Sequence, residues 1–239
     1  MGRNGGTRWL PWMALLLLTV AGGGCALTGV SEEDEIRLGK DTAAEVERQY
    51  RTYEDSTVTD YGRRLSAVSE RPNLPYRYRV IEMKEINAFA LPGGPVYVTS
   101  GMMAFTRDYP EQLAAVLGHE TAHIARRHAV QQIQRQSWLG LGIDILLGGG
   151  ARDIAVLAAN IEELGFSRNQ ERDADTHGAV YLTRIGIDPM AEVHMLERLG
   201  AQSGGGGISF LQTHPSSADR VKRLTNEIQD GEISRLARE

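Results

Sequence analysis

The 239-residue chain holds a single cysteine, Cys25. One thiol excludes an intrachain disulfide framework and any zinc ribbon built of thiolates. Aromatic residues make up only 6% of the chain, and basic residues are outnumbered, 26 Lys and Arg against 31 Asp and Glu. So acidic a chain lacks the cationic footprint that binding to phosphate backbones requires, which excludes nucleic acid as a partner. No internal repeat is present, so a repeat-built interaction domain is excluded as well. The remaining composition, 41% hydrophobic and 24% charged, is that of an ordinary globular chain with one main domain.

The N-terminus reads as an address. Arg3 and Arg8 precede an apolar stretch running through Leu15-Leu16-Leu17-Leu18, then Gly22-Gly23-Gly24 and Cys25. A basic start, a short apolar core and a small-residue exit form a secretory signal, and the run is too short for a convincing membrane span. A retained anchor helix is the alternative. Cys25 after small residues also resembles a bacterial lipoprotein box, although Gly22 stands where such boxes favour Leu. Lipidation of Cys25 would anchor the protein to a membrane, and Ala26 rather than Asp resembles outer-membrane sorting. Without residues 1–24 the chain carries 24 basic and 31 acidic residues, a net of −7. The expected organisation is a signal peptide over 1–24, a linker over 25–30, a folded domain over 31–232 and a tail over 233–239.

Within that domain Ser31 followed by Glu32, Glu33, Asp34 and Glu35 predicts a capped helix over 31–50. A second helix is expected over 57–70, ending before Pro72. Tyr76 to Met83 alternates as a strand, and Asn87–Leu91 and Pro95–Ser100 flank the turn Pro92-Gly93-Gly94 as a hairpin. From Gly101 onward the pattern is helical, broken by Gly148-Gly149-Gly150 and by the run Ser203–Gly207, which is expected to be a mobile loop. The apolar stretch from Trp138 to Ala159 carries Asp144, Arg152 and Asp153, so it predicts a buried or interfacial helical hairpin.

Chemistry enters at Gly118-His119-Glu120-Thr121-Ala122-His123. Residues four apart on a helix share a face, so His119 and His123 can reach one ion. Zinc suits imidazole and carboxylate ligands, and a catalytic site keeps one position open for water. Glu120 leans toward that water as a general base and is not itself a ligand. No third histidine follows at the spacing of the His-rich zinc enzymes, and His128 reads as a structural or surface residue. Further on, Glu171 and Asp175 project from one helix face. Glu171 can complete the two imidazoles, and Asp175 can accept the second N–H of one of them, that of His119. Taken alone the pair would read as an exposed charged helix, with Arg168 and Arg172 nearby.

These residues carry a resemblance. Leu117 to His123, Arg127-His128, Glu171 to Gly178, Asn87 to Gly94 and Thr213-His214-Pro215 are similar to zinc metallopeptidases of the HtpX, Oma and CAAX prenyl protease type. Within them the chain most resembles the soluble envelope members, the BepA-like and LoiP-like proteins, across residues 31–228. The resemblance implies an α+β, mostly helical gluzincin fold with a small sheet whose edge strand lies over the zinc helix, and one zinc ion per chain. It lacks the long membrane segments of some relatives and the helical repeats of others. An extended polypeptide could pair with that strand edge through main-chain hydrogen bonds. Asn87, Ala88 and Phe89 would then meet the substrate, although Asn87 could equally close a turn.

His214, followed by Pro215 and preceded by the glycine run, has two readings besides that of a helix-start residue. It could stabilise the oxyanion of the reaction, or bind zinc as a fourth ligand and shut out the water. Arg220 is a second oxyanion candidate, with pairing to Asp219 or Glu227 as the alternative, and His177 and His194 read as structural. The resemblance implies an envelope endopeptidase facing the periplasm, acting on misfolded envelope proteins through zinc-activated water with Glu120 as base. A chaperone-like lipoprotein that binds polypeptides without turnover is the alternative.

Overall fold

Ser31 begins the first helix. Its hydroxyl accepts the Asp34 backbone N–H at 3.0 Å, and the acids of the first turn complement the unpaired N–H groups there. The computed structural model describes residues 30–137, 165–202, 209–215 and 218–239. The signal segment, the stretch from Trp138 to Ala159 and the glycine run Ser203–Gly207 lie outside these. Helix α1 (Glu32–Gln49) leads to a short strand β1 (Thr52–Tyr53) and to α2 (Ser56–Ala67), whose cap is Asp55, accepting the N–H groups of Thr57 and Val58. This helix stops earlier than the position of Pro72 suggests, because Val68 and Ser69 turn back to bond the carbonyls of Leu65 and Ser66.

Strands β2 (Arg77–Ile81), β3 (Ala88–Ala90) and β4 (Pro95–Thr99) complete a four-stranded mixed sheet of order β1-β2-β4-β3. The pairs β1–β2 and β3–β4 are antiparallel, whereas β2 and β4 run parallel. The β3–β4 hairpin turns on Gly93 and Gly94, at φ 70° and 143°, a region that side chains with a Cβ rarely adopt. Among the described residues the further elements are helical: α3 (Ser100–Phe105), α4 (Pro110–Ala125), α5 (His128–Ser137), α6 (Arg168–Arg184), α7 (Met190–Gln202), α8 (Phe210–Thr213), α9 (Ala218–Gln229) and α10 (Glu232–Leu236). Among the described residues no helix is long and apolar enough to cross a membrane. The segment expected as a tail contains part of α10, where Ile233 is fully buried and Arg184 holds the carbonyls of Leu236 and Ala237.

Two apolar clusters hold the sheet. On one face α2, α4, α6 and α7 form the main core, with α4 buried without interruption from Gln112 to Ala125. On the other face α1 lays Leu38, Ala43 and Val46 against Ile81, Phe89, Leu91 and Tyr97. Both faces being covered explains why every residue of β4 is buried. A buried ionic clamp fixes α1. The Glu35 carboxylate accepts from Arg71 Nη1 at 2.9 Å and Nη2 at 3.0 Å, and Arg127 Nε lies 2.9 Å from it.

The approach of α1 to the hairpin depends on Gly39. A Cβ there would stand 1.8 Å from the Pro92 carbonyl oxygen, a backbone atom with no rotamer to yield. The expected result of Gly39→Ala is therefore a loss of about 1–3 kcal/mol or more, despite the better helix propensity of Ala. Thermal unfolding measures it, and an unchanged or raised melting temperature would show that α1 has slack against the turn.

Candidate metal centre

A glycine lets the site assemble. Where α4 crosses α6, a Cβ on Gly178 would lie 2.7 Å from Glu192 Oε2 and 3.2 Å from the His119 backbone nitrogen, so a side chain there would press on both. With glycine there, His119 and His123 on α4 come within reach of Glu171, which sits in the first turn of α6 beyond the Ser167/Gln170 capping box. His214 joins them from the end of α8, where its backbone N–H bonds the Phe210 carbonyl at 2.8 Å.

The four side chains are buried, and their donor atoms lie within 4.8 Å of one another. Nε2 of His119 is 3.1 Å from Nε2 of His123, 3.2 Å from Nδ1 of His214 and 3.6 Å from Glu171 Oε2. Glu171 Oε1 is 3.5 Å from His123 Nε2 and 2.9 Å from His214 Nδ1. Four ligands about 2.0–2.1 Å from a tetrahedral ion stand about 3.3 Å apart, so these separations and this nitrogen and carboxylate donor set fit a four-coordinate metal.

His119 Nδ1 faces two carboxylates at 3.3 Å, Asp175 Oδ1 and Glu192 Oε1. Burial opposes ionisation of Asp175, yet Arg220, bonding it through Nε at 2.9 Å and Nη2 at 2.5 Å, keeps its carboxyl down at about 2. Burial pushes Glu192 up to about 7, partly offset by His119. Arg220 is itself buried, with Nη1 2.6 Å from Glu171 Oε2 and 3.0 Å from the Pro215 carbonyl. Of the partners weighed for it from sequence, Glu227 pairs with Arg223. Glu120 is fully buried beside the cluster, and neither carboxylate oxygen has a hydrogen-bond partner among the described residues. Burial raises its pKa, against the opposing charges of His214 and His119.

The remaining candidates divide. Asn87 is buried at the start of β3. Its Oδ1 accepts the Ala88 N–H at 2.9 Å, and its Nδ2 has no partner among the described residues. Strand alternation sends Ala88 and Ala90 into the main core beside α4, while Phe89 points the other way and stacks on Tyr97 with ring centroids 5.3 Å apart. His177 is partly buried against Asp173, His194 is exposed, and Cys25 lies outside the described residues. Sequence reasoning missed Glu192, although a signal was there. It shares the apolar stripe of α7 with Met195, Leu196 and Leu199, where a carboxylate has no reason to sit without a partner. His128 is buried, with Nδ1 3.1 Å from Nδ1 of His123.

Comparison with known proteins agrees with this geometry. The model of peptidase family M48 matches residues 53–228. The mitochondrial metalloendopeptidase OMA1 of Schizosaccharomyces pombe is 31% identical over 220 residues, covering 86% of this chain and 64% of the relative. The β-barrel assembly-enhancing protease of Escherichia coli is 31% identical over 191 residues, 72% of this chain and 39% of the relative. The metalloprotease LoiP of Escherichia coli is 27% identical over 192 residues, 71% of each chain. The chain thus spans under two thirds of the first two relatives.

Proposed function

The chain belongs to peptidase family M48, and from that premise we propose that it is a zinc endopeptidase of the bacterial cell envelope that hydrolyses extended or misfolded envelope proteins. The carrying observation is the convergence of His119, His123 and Glu171 donor atoms beside the buried carboxylate of Glu120, which has no hydrogen-bond partner among the described residues. The relatives' names, metalloendopeptidase and metalloprotease, support peptide hydrolysis. A polypeptide-binding lipoprotein without turnover is not favoured, because such a protein would have no use for a general base next to the ligands.

In this proposal His119, His123 and Glu171 hold the zinc. When bound, the ion supplies a Lewis acid and a water acidic enough to attack near neutral pH. Glu120 takes the proton of the attacking water on its carboxylate and delivers it to the leaving amine nitrogen. Asp175 and Glu192 accept the His119 Nδ1 proton and fix its tautomer, leaving Nε2 for the metal. Arg220 holds Asp175, Glu171 and the Pro215 carbonyl in one grip, which fixes its guanidinium beside the ligands.

The substrate is proposed to add as a strand along β3, one of the two edge strands of the sheet and a neighbour of α4. Asn87 Nδ2, without a partner among the described residues, is a donor for a substrate carbonyl, and the outward-facing Ala88 carbonyl is an acceptor, while the neighbouring Phe89 pairs with Tyr97 on β4. The signal-like residues 1–24 and Cys25 support secretion and a lipid anchor at the outer membrane. Hydrolysis of unfolded casein tests the activity: it is expected to stop with chelator and return with added zinc, and chelator-resistant hydrolysis would overturn the metal reading.

His214 supports a latent resting state. Its Nδ1 belongs to the donor cluster, and its Nε2 lies 3.4 Å from Glu120 Oε1, so one imidazole faces both the fourth coordination position and the base. His214→Ala is expected to hydrolyse casein faster than wild type at equal zinc occupancy. A fall of about 10²–10³-fold would instead make His214 an oxyanion donor.

A further inference from the structure

The two imidazoles on α4 are supported in different ways. His119 Nδ1 meets carboxylates directly, but His123 Nδ1 meets another imidazole, that of His128, at 3.1 Å. His128 Nε2 in turn lies 3.1 Å from Asp173 Oδ2, and the same oxygen accepts from Arg126 Nε at 2.8 Å. His128 is 3% exposed, so water does not supply these bonds. The Phe166 ring covers the row, its centroid 3.9 Å from that of His123 and 6.3 Å from that of His128.

Hydrogen-bond bookkeeping gives this row one polarity. His123 turns Nε2 toward His119 and Glu171, so as a neutral metal ligand it carries its proton on Nδ1. That N–H must donate, and among the described residues the atom within hydrogen-bond distance is His128 Nδ1, which must therefore present a lone pair. A neutral His128 with a bare Nδ1 carries its proton on Nε2 and donates it to Asp173. Reversing any member would set two N–H groups or two lone pairs against each other at 3.1 Å in a dry interior, which costs as much as leaving the bond unmade.

We infer that His128, held by Asp173, is a positioning residue for the zinc ligand His123, fixing its tautomer and ring orientation through a His123–His128–Asp173 hydrogen-bond row. The row extends α4 across the turn at Arg126 and Arg127 into α5 and ties both to α6, the helix that provides Glu171. It thereby sets the distance between ligands that come from different helices. The competing role is packing alone, in which the His128 ring merely fills the space between α4, α5 and α6. The two roles differ in chemistry: packing needs a ring of this size, whereas positioning needs an acceptor toward His123 and a donor toward Asp173.

The inference rests on the zinc reading above, and metal affinity tests it without relying on turnover. Zinc binding is measured by competition with a chromogenic chelator for wild type, His128→Phe, His128→Gln and Asp173→Ala, together with melting temperatures of the metal-free proteins. Phe keeps the ring and loses both bonds; Gln keeps one acceptor and one donor on a planar group. His128→Phe is expected to weaken zinc binding by about 10–100-fold while metal-free melting stays near wild type, and Gln should recover part of that loss. Asp173→Ala should weaken binding more in wild type than in His128→Phe, since the loss of its other contacts, to Arg126 and His177, is common to both backgrounds and cancels in the comparison. Zinc affinity of His128→Phe within threefold of wild type would overturn the inference, as would an equal fold loss from Asp173→Ala in both backgrounds. If His128→Phe does not fold, the same comparison in His128→Gln decides, the row surviving only if Asp173→Ala still weakens zinc binding there. Wild type that takes up no zinc would overturn the zinc reading and this inference together; tight wild-type binding with an unaffected His128→Phe overturns this one alone.

Discussion

Glu120→Gln is expected to keep the metal and lose hydrolysis by at least about 10²–10⁴-fold, the usual contribution of a positioned general base. The substitution preserves shape, and neither Glu120 oxygen makes a hydrogen bond among the described residues, so little structure is lost with the charge. Burial already raises the pKa of this carboxyl, which means that its ionised form is held in the core at a cost. The neutral amide should therefore leave thermal stability unchanged or raised. Metal analysis, initial rates on unfolded casein and a melting curve on one preparation separate the roles. A folded Glu120→Gln protein without zinc would make Glu120 a ligand, and one with full activity would remove it from proton transfer.

Glu171→Ala and His123→Ala are expected to lose the metal, and with it both activity and stability. Zinc at 100–1,000 times its dissociation constant stabilises the folded state by about 2.7–4.1 kcal/mol, all of it forfeited when binding is abolished. Glu171→Ala has a further consequence. Arg220 Nη1 lies 2.6 Å from Glu171 Oε2 and is buried, so truncation removes one partner of a charge that cannot reach water. Glu171→Ala should therefore melt below His123→Ala, and below chelated wild type as well. The comparison needs only melting curves with and without zinc. Equal melting of chelated wild type and Glu171→Ala would show that Arg220 does not depend on Glu171.

Local rules settle much of what lies close in sequence. The Ser31 cap, the paired glycines of the hairpin and the four-residue spacings His119/His123 and Glu171/Asp175 are properties of a few neighbouring residues, and they appear in the structure where pattern places them. The parallel pairing of β2 with β4 was not legible, because β3 inserts between them in the chain and takes the outer position in the sheet. Nor was the full burial of α4, which depends on elements on every side of it and leaves no polar face to read.

The sequence by itself determined the chemistry of this protein: two imidazoles and a carboxyl on one helix turn, two more carboxyls on another, and a histidine before a proline. Helical periodicity makes such neighbours share a face wherever the helix lies. Only the tertiary structure decided how those groups divide the work. It placed Glu192 from α7 on the far side of His119, spent Arg220 on Asp175 and Glu171, turned Phe89 to the α1 face of the sheet, and set His128 behind His123. Each of these contacts joins residues whose spacing along the chain carries no periodic signal, or depends on which face of an element its neighbours cover. They arise because a buried charge or N–H must find a partner, and which partner stands within 3 to 4 Å is settled when the helices pack.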